Sequence, residues 1–141
     1  MAYSGYLMRI GTGDNAFTIT GSKYIQFATY EVVRKVQDLD PYRDANGVLH
    51  RNALSNIPLT VKFDLMPSLS NVKLKEFLQG IQNNYTNELE RKVVATVYVP
   101  EIDDYVTQDM YMAEPEIKIQ RIDTNTNTLY YEPVEIKFIG Y

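Results

Sequence analysis

The sequence contains no cysteine, no tryptophan and a single histidine. Without cysteine it can form neither a disulfide nor a thiolate metal site, which removes stapled scaffolds and zinc fingers together. The one histidine, His50, would need a nucleophile and an orienting acid beside it to act as a general base, and no Gly-x-Ser-x-Gly elbow occurs. Long apolar runs are also missing. The longest, residues 93–99, is broken by Thr96 and is far short of the roughly 20 residues a membrane-spanning helix needs, so no membrane insertion is expected. Residues 1–6 have neither the basic start nor the apolar stretch of a secretory leader. Clustered basic charge is absent as well. The fourteen Lys and Arg are scattered, with Arg34-Lys35 and Arg91-Lys92 the nearest to a run, and the net charge is −4. A nucleic-acid binder needs clustered cations to displace phosphate counterions, so no sequence-specific nucleic-acid partner is expected.

What is present is globular. With 141 residues, 45% of them hydrophobic and 23% charged, the chain can bury one core and is read as one domain over residues 1–141. Twelve tyrosines against five phenylalanines suit half-buried sheet faces and protein interfaces, because the ring is apolar and its tip polar.

Two residue periods organise the chain. Leu59, Val61, Phe63 and Leu65 alternate with polar neighbours, the period of a half-buried strand ended by Pro67. Leu74, Phe77, Leu78, Ile81 and Tyr85 then fall on one helical stripe, with Ser70 or Asn71 as N-cap, predicting one α-helix over about 71–87. The strand period returns at 93–99 and 105–112. It continues at 116–122, then past a polar hairpin loop at 123–128 into 129–141, where Pro133 marks an edge position or a bulge. Short strands are expected at 6–10 and 17–20. The helix should lie under a sheet containing Val61, Phe63, Val93, Ala95, Val97 and Ile136. The fold class that follows is mostly β (α+β): a two-sheet β-sandwich or barrel-like core packed with that helix. From it projects a long extended arm, about 30–57, with a tight turn at Asn46-Gly47.

The remaining motifs carry no chemistry. Asp38, Asp40, Asp44, Asn46 and Gly47 suggest a calcium loop. Placing Gly47 at the invariant glycine, however, puts Tyr42 and Ala53 where the first and last ligands belong. Gly11-Thr12-Gly13 lacks the third glycine of a dinucleotide loop. Glu101, Asp103, Asp104 and Asp109 sit in a turn context, where acids usually solvate a hairpin. No catalytic residue, no metal and no cofactor are therefore expected, and the protein is read as a non-enzyme.

The arm segment Tyr42-Arg43-Asp44-Ala45-Asn46-Gly47-Val48-Leu49-His50-Arg51 is followed by 59–63, the helix and 92–99. After these come 104–112 and the terminal Glu135-Ile136-Lys137-Phe138-Ile139-Gly140-Tyr141. This pattern resembles a family of small proteins encoded in the tail-gene regions of phages and prophages of Gram-positive bacteria. The element order resembles tail-tube and distal-tail hub domains, in which a long early loop grips the neighbouring subunit of a ring, commonly of six. The resemblance implies a structural tail protein of the virion, assembled in the bacterial cytoplasm. Its partners would be further copies of itself and neighbouring tube, hub and tape-measure proteins. A carbohydrate-binding module at the tail tip, using tyrosines with Asp103 and Asp104, is the other reading. Tyr30, Val32, Val33, Val36, Leu39, Tyr42, Val48 and Leu49 place more apolar surface on the arm than it can bury locally, and are expected at a subunit interface.

Overall fold

The computed structural model describes residues 3–20, 24–26, 28–53 and 55–141. Its main element is an open, wholly antiparallel sheet of seven strands. These are β1 (Met8–Ile10), β2 (Phe17–Ile19), β3 (Glu31–Arg34), β6 (Leu59–Asp64), β8 (Lys92–Val99), β9 (Asp104–Met112) and β12 (Glu135–Gly140), in the order β2-β1-β8-β9-β12-β6-β3. Between them lie the arm strands β4 (Tyr42–Arg43) and β5 (Leu49–His50), the helix α1 (Asn71–Gln82), and a small sheet. The small sheet orders β10 (Ile119–Asp123), β11 (Thr128–Tyr131) and β7 (Leu69–Ser70).

Alternation explains why the large sheet forms. Along β8, Val93, Ala95, Val97 and Val99 are all buried while their neighbours are half-exposed, and β6 and β12 follow the same rule. The buried face meets Leu74, Phe77 and Ile81 of α1. All six expected sheet residues and three of the four expected helix residues lie in the core, with Leu78 packed at its margin. Phe77 is the keystone: its ring centroid lies 5.1–6.2 Å from those of Phe17, Tyr24 and Phe63.

The large sheet ends in β2 and β3, so it is not a closed barrel, and the opposing layer is one helix with a three-stranded sheet. The helix stops at Gln82, short of 87. Ser70 does cap its start, accepting from the Lys73 N–H at 3.3 Å. At the other end Asn84 folds back to donate to the Gly80 carbonyl at 2.9 Å, satisfying an acceptor that another helical turn would have used. Tyr85 thus leaves the helical stripe, though it still packs on the core. Pro133 marks neither a simple edge nor a bulge within one strand. It lies between β11 and β12, where the chain leaves the small sheet for the large one.

One polar side chain completes the sheet. Beside the last residue of β12, Gln108 reaches across Gly140, accepts the Leu59 N–H at 2.9 Å and donates to the Ile57 carbonyl at 3.4 Å. Gly140 is the residue that leaves room, since a Cβ there would overlap the Gln108 amide.

Candidate assembly interface

The arm is not extended chain throughout. Its first residues, Glu31–Arg34, are β3, an edge strand paired in register with β6 (Val32 opposite Val61, Val33 opposite Thr60). Tyr30 and Val32 consequently turn toward the chain's own core. The Tyr30 hydroxyl sits 3.3 and 3.2 Å from the carbonyl oxygens of Leu7 and Tyr98 and donates between them. Burial, and then the neighbouring Tyr105 hydroxyl, hold its pKa far above that of a free phenol.

The projecting part begins where Lys35 N–H donates to the Pro58 carbonyl at 3.0 Å, the last rung of the root. Beyond it the chain folds into a hairpin that is held together by its own side chains. At the base Arg51 Nε lies 3.0 and 3.2 Å from the two carboxylate oxygens of Asp38, which itself pairs with Ala53. Next, Leu39 and Asn52 exchange two hydrogen bonds of 2.9 and 3.0 Å. β4 and β5 pair Tyr42 with His50 and Arg43 with Leu49. The Tyr42 and His50 rings stack with centroids 4.8 Å apart and planes 11° from parallel.

Asp44 builds the tip. Its Oδ1 accepts the Asn46 and Val48 N–H groups at 2.9 and 3.1 Å, and its Oδ2 lies 2.9 Å from His50 Nε2. Gly47 N–H closes the turn onto the Asp44 carbonyl at 3.0 Å with φ +81. Only Gly47 of the Asn-Gly pair takes positive φ, so the loop is an ordinary turn followed by one left-handed residue. The bond to His50, followed by those from Val48 and Asn46, holds the Asp44 carboxyl below the usual carboxylate range. Among the described residues, the hydrogen bonds of 38–53 all run within the hairpin.

Six of the eight arm positions expected at an interface are exposed: Val33, Val36, Leu39, Tyr42, Val48 and Leu49, with Leu39 and Tyr42 at 59% and 57%. The hairpin thus spends its polar groups on holding its own shape and leaves its apolar ones to solvent. Leu54 of the arm lies outside the described residues.

Among the described residues the other candidate groups are each engaged elsewhere. His50 faces Asp44 and Tyr42, with no hydroxyl nucleophile among its hydrogen-bond partners. The oxygens of Asp38 and Asp44 serve Arg51, His50 and the turn amides. Each acid of the 101–109 group has a partner of its own. Glu101 lies 4.0 Å from Arg34 and Asp109 3.9 Å from Lys92, while Asp103 accepts the Tyr98 hydroxyl at 2.7 Å and Asp104 the Tyr105 N–H at 2.8 Å. The tyrosines that could stack on a sugar pack on one another, Tyr3 on Tyr98, Tyr98 on Tyr105 and Tyr105 on Tyr6. Sequence reasoning missed a groove of about 350 Å³ between α1 and the approach to β10, lined by Leu74, Leu78, Ile117 and Tyr131. Its walls come from segments about forty residues apart, so no local pattern marks it.

No curated protein matches the sequence. Among solved structures, the fold is similar to a chain of the "tail of empty GTA particle computed with helical refinement, C6 symmetry". The TM-score is 0.54 at 9% sequence identity, over 99% of this chain and 95% of that one. By sequence, the chain belongs to the "family of unknown function (DUF6711)", whose model matches all of residues 1–141.

Proposed function

We infer that the protein is a non-enzymatic structural subunit of a phage or phage-like tail, one that forms a ring near the tube or distal-tail hub. The observation that carries this reading is the arm, a hairpin stapled by Asp38–Arg51 and Asp44–His50 that exposes Leu39, Tyr42, Val48 and Leu49. Holding a hairpin rigid in the absence of its target lowers the ordering cost of binding. Exposed apolar side chains on such an element mark a protein interface. The whole-chain likeness to a protein from a six-fold tail supports the setting.

In this reading the arm meets the next copy in the ring, and the faces above and below the ring meet neighbouring tube, hub or tape-measure proteins. Assembly takes place in the host cytoplasm and the product is the virion tail. A closed ring needs a heterologous contact, with two different patches on each subunit, and a projecting arm is suited to be one of them.

Replacing residues 38–51 by a short Gly-Ser loop in the virus or prophage tests the reading. The domain should remain folded, because the arm lies outside the core, and tails should fail to assemble. Normal tails from this variant would reduce the arm to a surface loop.

A further inference from the structure

A heterologous contact leaves open what receives the arm. Among the described residues two clefts with apolar walls flank α1, one lined by Phe17, Val72 and Gly80 and the other the groove that faces Ile117. In the latter, Leu78 lies on one wall, and Ile117 and Tyr131 on the other. Ile117 is 42% exposed although it is flanked by charged residues, and the strand that follows it, β10, is the outermost of its sheet.

Charge separates this groove from the other clefts. Lys75 stands in its wall and no acid lines it, whereas Glu76 joins Lys75 in the cleft on the other side of α1. The cleft beside residues 113–118 is lined by four acids, Glu114, Glu116, Glu132 and Glu135, against two bases, Lys118 and Lys137. The near strand of the arm has the converse pattern: over residues 38–44, Asp38, Asp40 and Asp44 surround Leu39 and Tyr42, with Arg43 the one base. Asp38 and Asp44 are committed to Arg51 and His50, so Asp40 is the acid left to face outward among the described residues.

Resting on the ring reading above, we propose that the arm of one copy docks into this groove on the next copy, seating Leu39 or Tyr42 between Leu78 and Ile117 with Asp40 near Lys75. The volume, about 350 Å³, lies at the small end of ligand-sized sites and suits one or two side chains. An apolar anchor inside a rim of opposite charge is the arrangement that gives both affinity and register.

The absence of cysteine from the chain makes the test direct. Leu39→Cys and Ile117→Cys are made in separate preparations, both at exposed positions, then mixed and oxidised. Docking predicts disulfide-linked dimers in the mixture and few in either preparation alone. A chain carrying both substitutions should give a ladder of multiples. As an independent arm, Lys75→Glu should raise the half-assembly concentration by at least about tenfold, and Asp40→Lys in the same chain should recover most of that loss. Dimers from Leu39→Cys alone would mean that arms meet arms, and would overturn the proposal. So would assembly that depends on the arm but ignores both Lys75→Glu and Ile117→Cys cross-linking. That last outcome would leave the ring reading standing, whereas an unmodified chain that never assembles would remove both.

Discussion

The ring of Phe17 in β2 lies against the backbone of Gly80 in α1, so closely that a Cβ added at Gly80 would come within 2.5 Å of the ring. Glycine in a helix interior ordinarily costs about 1 kcal/mol relative to alanine. Here it admits an aromatic ring that also packs edge-on against Phe77.

Gly80→Ala should therefore destabilise the protein, by a net of about 1–2 kcal/mol, since overpacking outweighs the gain in helix propensity. Urea unfolding with an unchanged m value reads the effect. In a Phe17→Ala background the same substitution should become neutral or stabilising. A stabilising Gly80→Ala in the natural sequence would show that Phe17 does not occupy this position.

Tyr30 predicts an alkaline limit. Its phenol pKa is raised in the fold, chiefly by burial. The stability it contributes is thus fully present below the ordinary tyrosine value of about 10, and is lost as pH climbs beyond it, where the unfolded chain ionises first. Tyr30→Phe should cost about 0.5–1.5 kcal/mol at pH 8 through its two carbonyl contacts. It should also flatten the decline above pH 10. An equally steep decline in the variant would assign the alkaline limit to other groups.

Asp44 makes the opposite prediction for the arm. Its carboxyl pKa is lowered, so its hold on the Asn46 and Val48 amides persists above the ordinary carboxylate range near pH 4. That hold is released as pH falls through the lowered value. The Asn46 and Val48 amide resonances should move together below about pH 4, and His50→Ala should shift their midpoint upward. Resonances that titrate at the free aspartate value with His50 intact would contradict the stapled tip.

Much of this architecture is legible in the sequence where a single period governs. The alternation of β6 and β8 and the stripe Leu74-Phe77-Leu78-Ile81 each follow from one buried face. The elements misread are those set by particular hydrogen bonds rather than by a period. Tyr85 continues the helical stripe on paper, yet the helix ends because Asn84 caps the Gly80 carbonyl. Residues 30–36 read as extended, and extended chain serves an arm as well as an edge strand. Pairing with β6 decides the matter, and takes Tyr30 and Val32 inward. Asn46-Gly47 does announce the hairpin tip, but the Asp38–Arg51 and Asp44–His50 staples join residues too far apart for any local rule. Nothing in the sequence reveals that Gln108 spans Gly140 to reach Leu59.

The most direct measurement is the mass of the purified protein in solution, by mass photometry or light scattering across concentration, with the arm intact and with residues 38–51 replaced by a Gly-Ser loop. The ring reading predicts a discrete closed oligomer for the intact chain, near six times its 16.3 kDa, and a folded monomer for the replacement. An intact chain that remains monomeric at every concentration, or a replacement that assembles equally well, would contradict it.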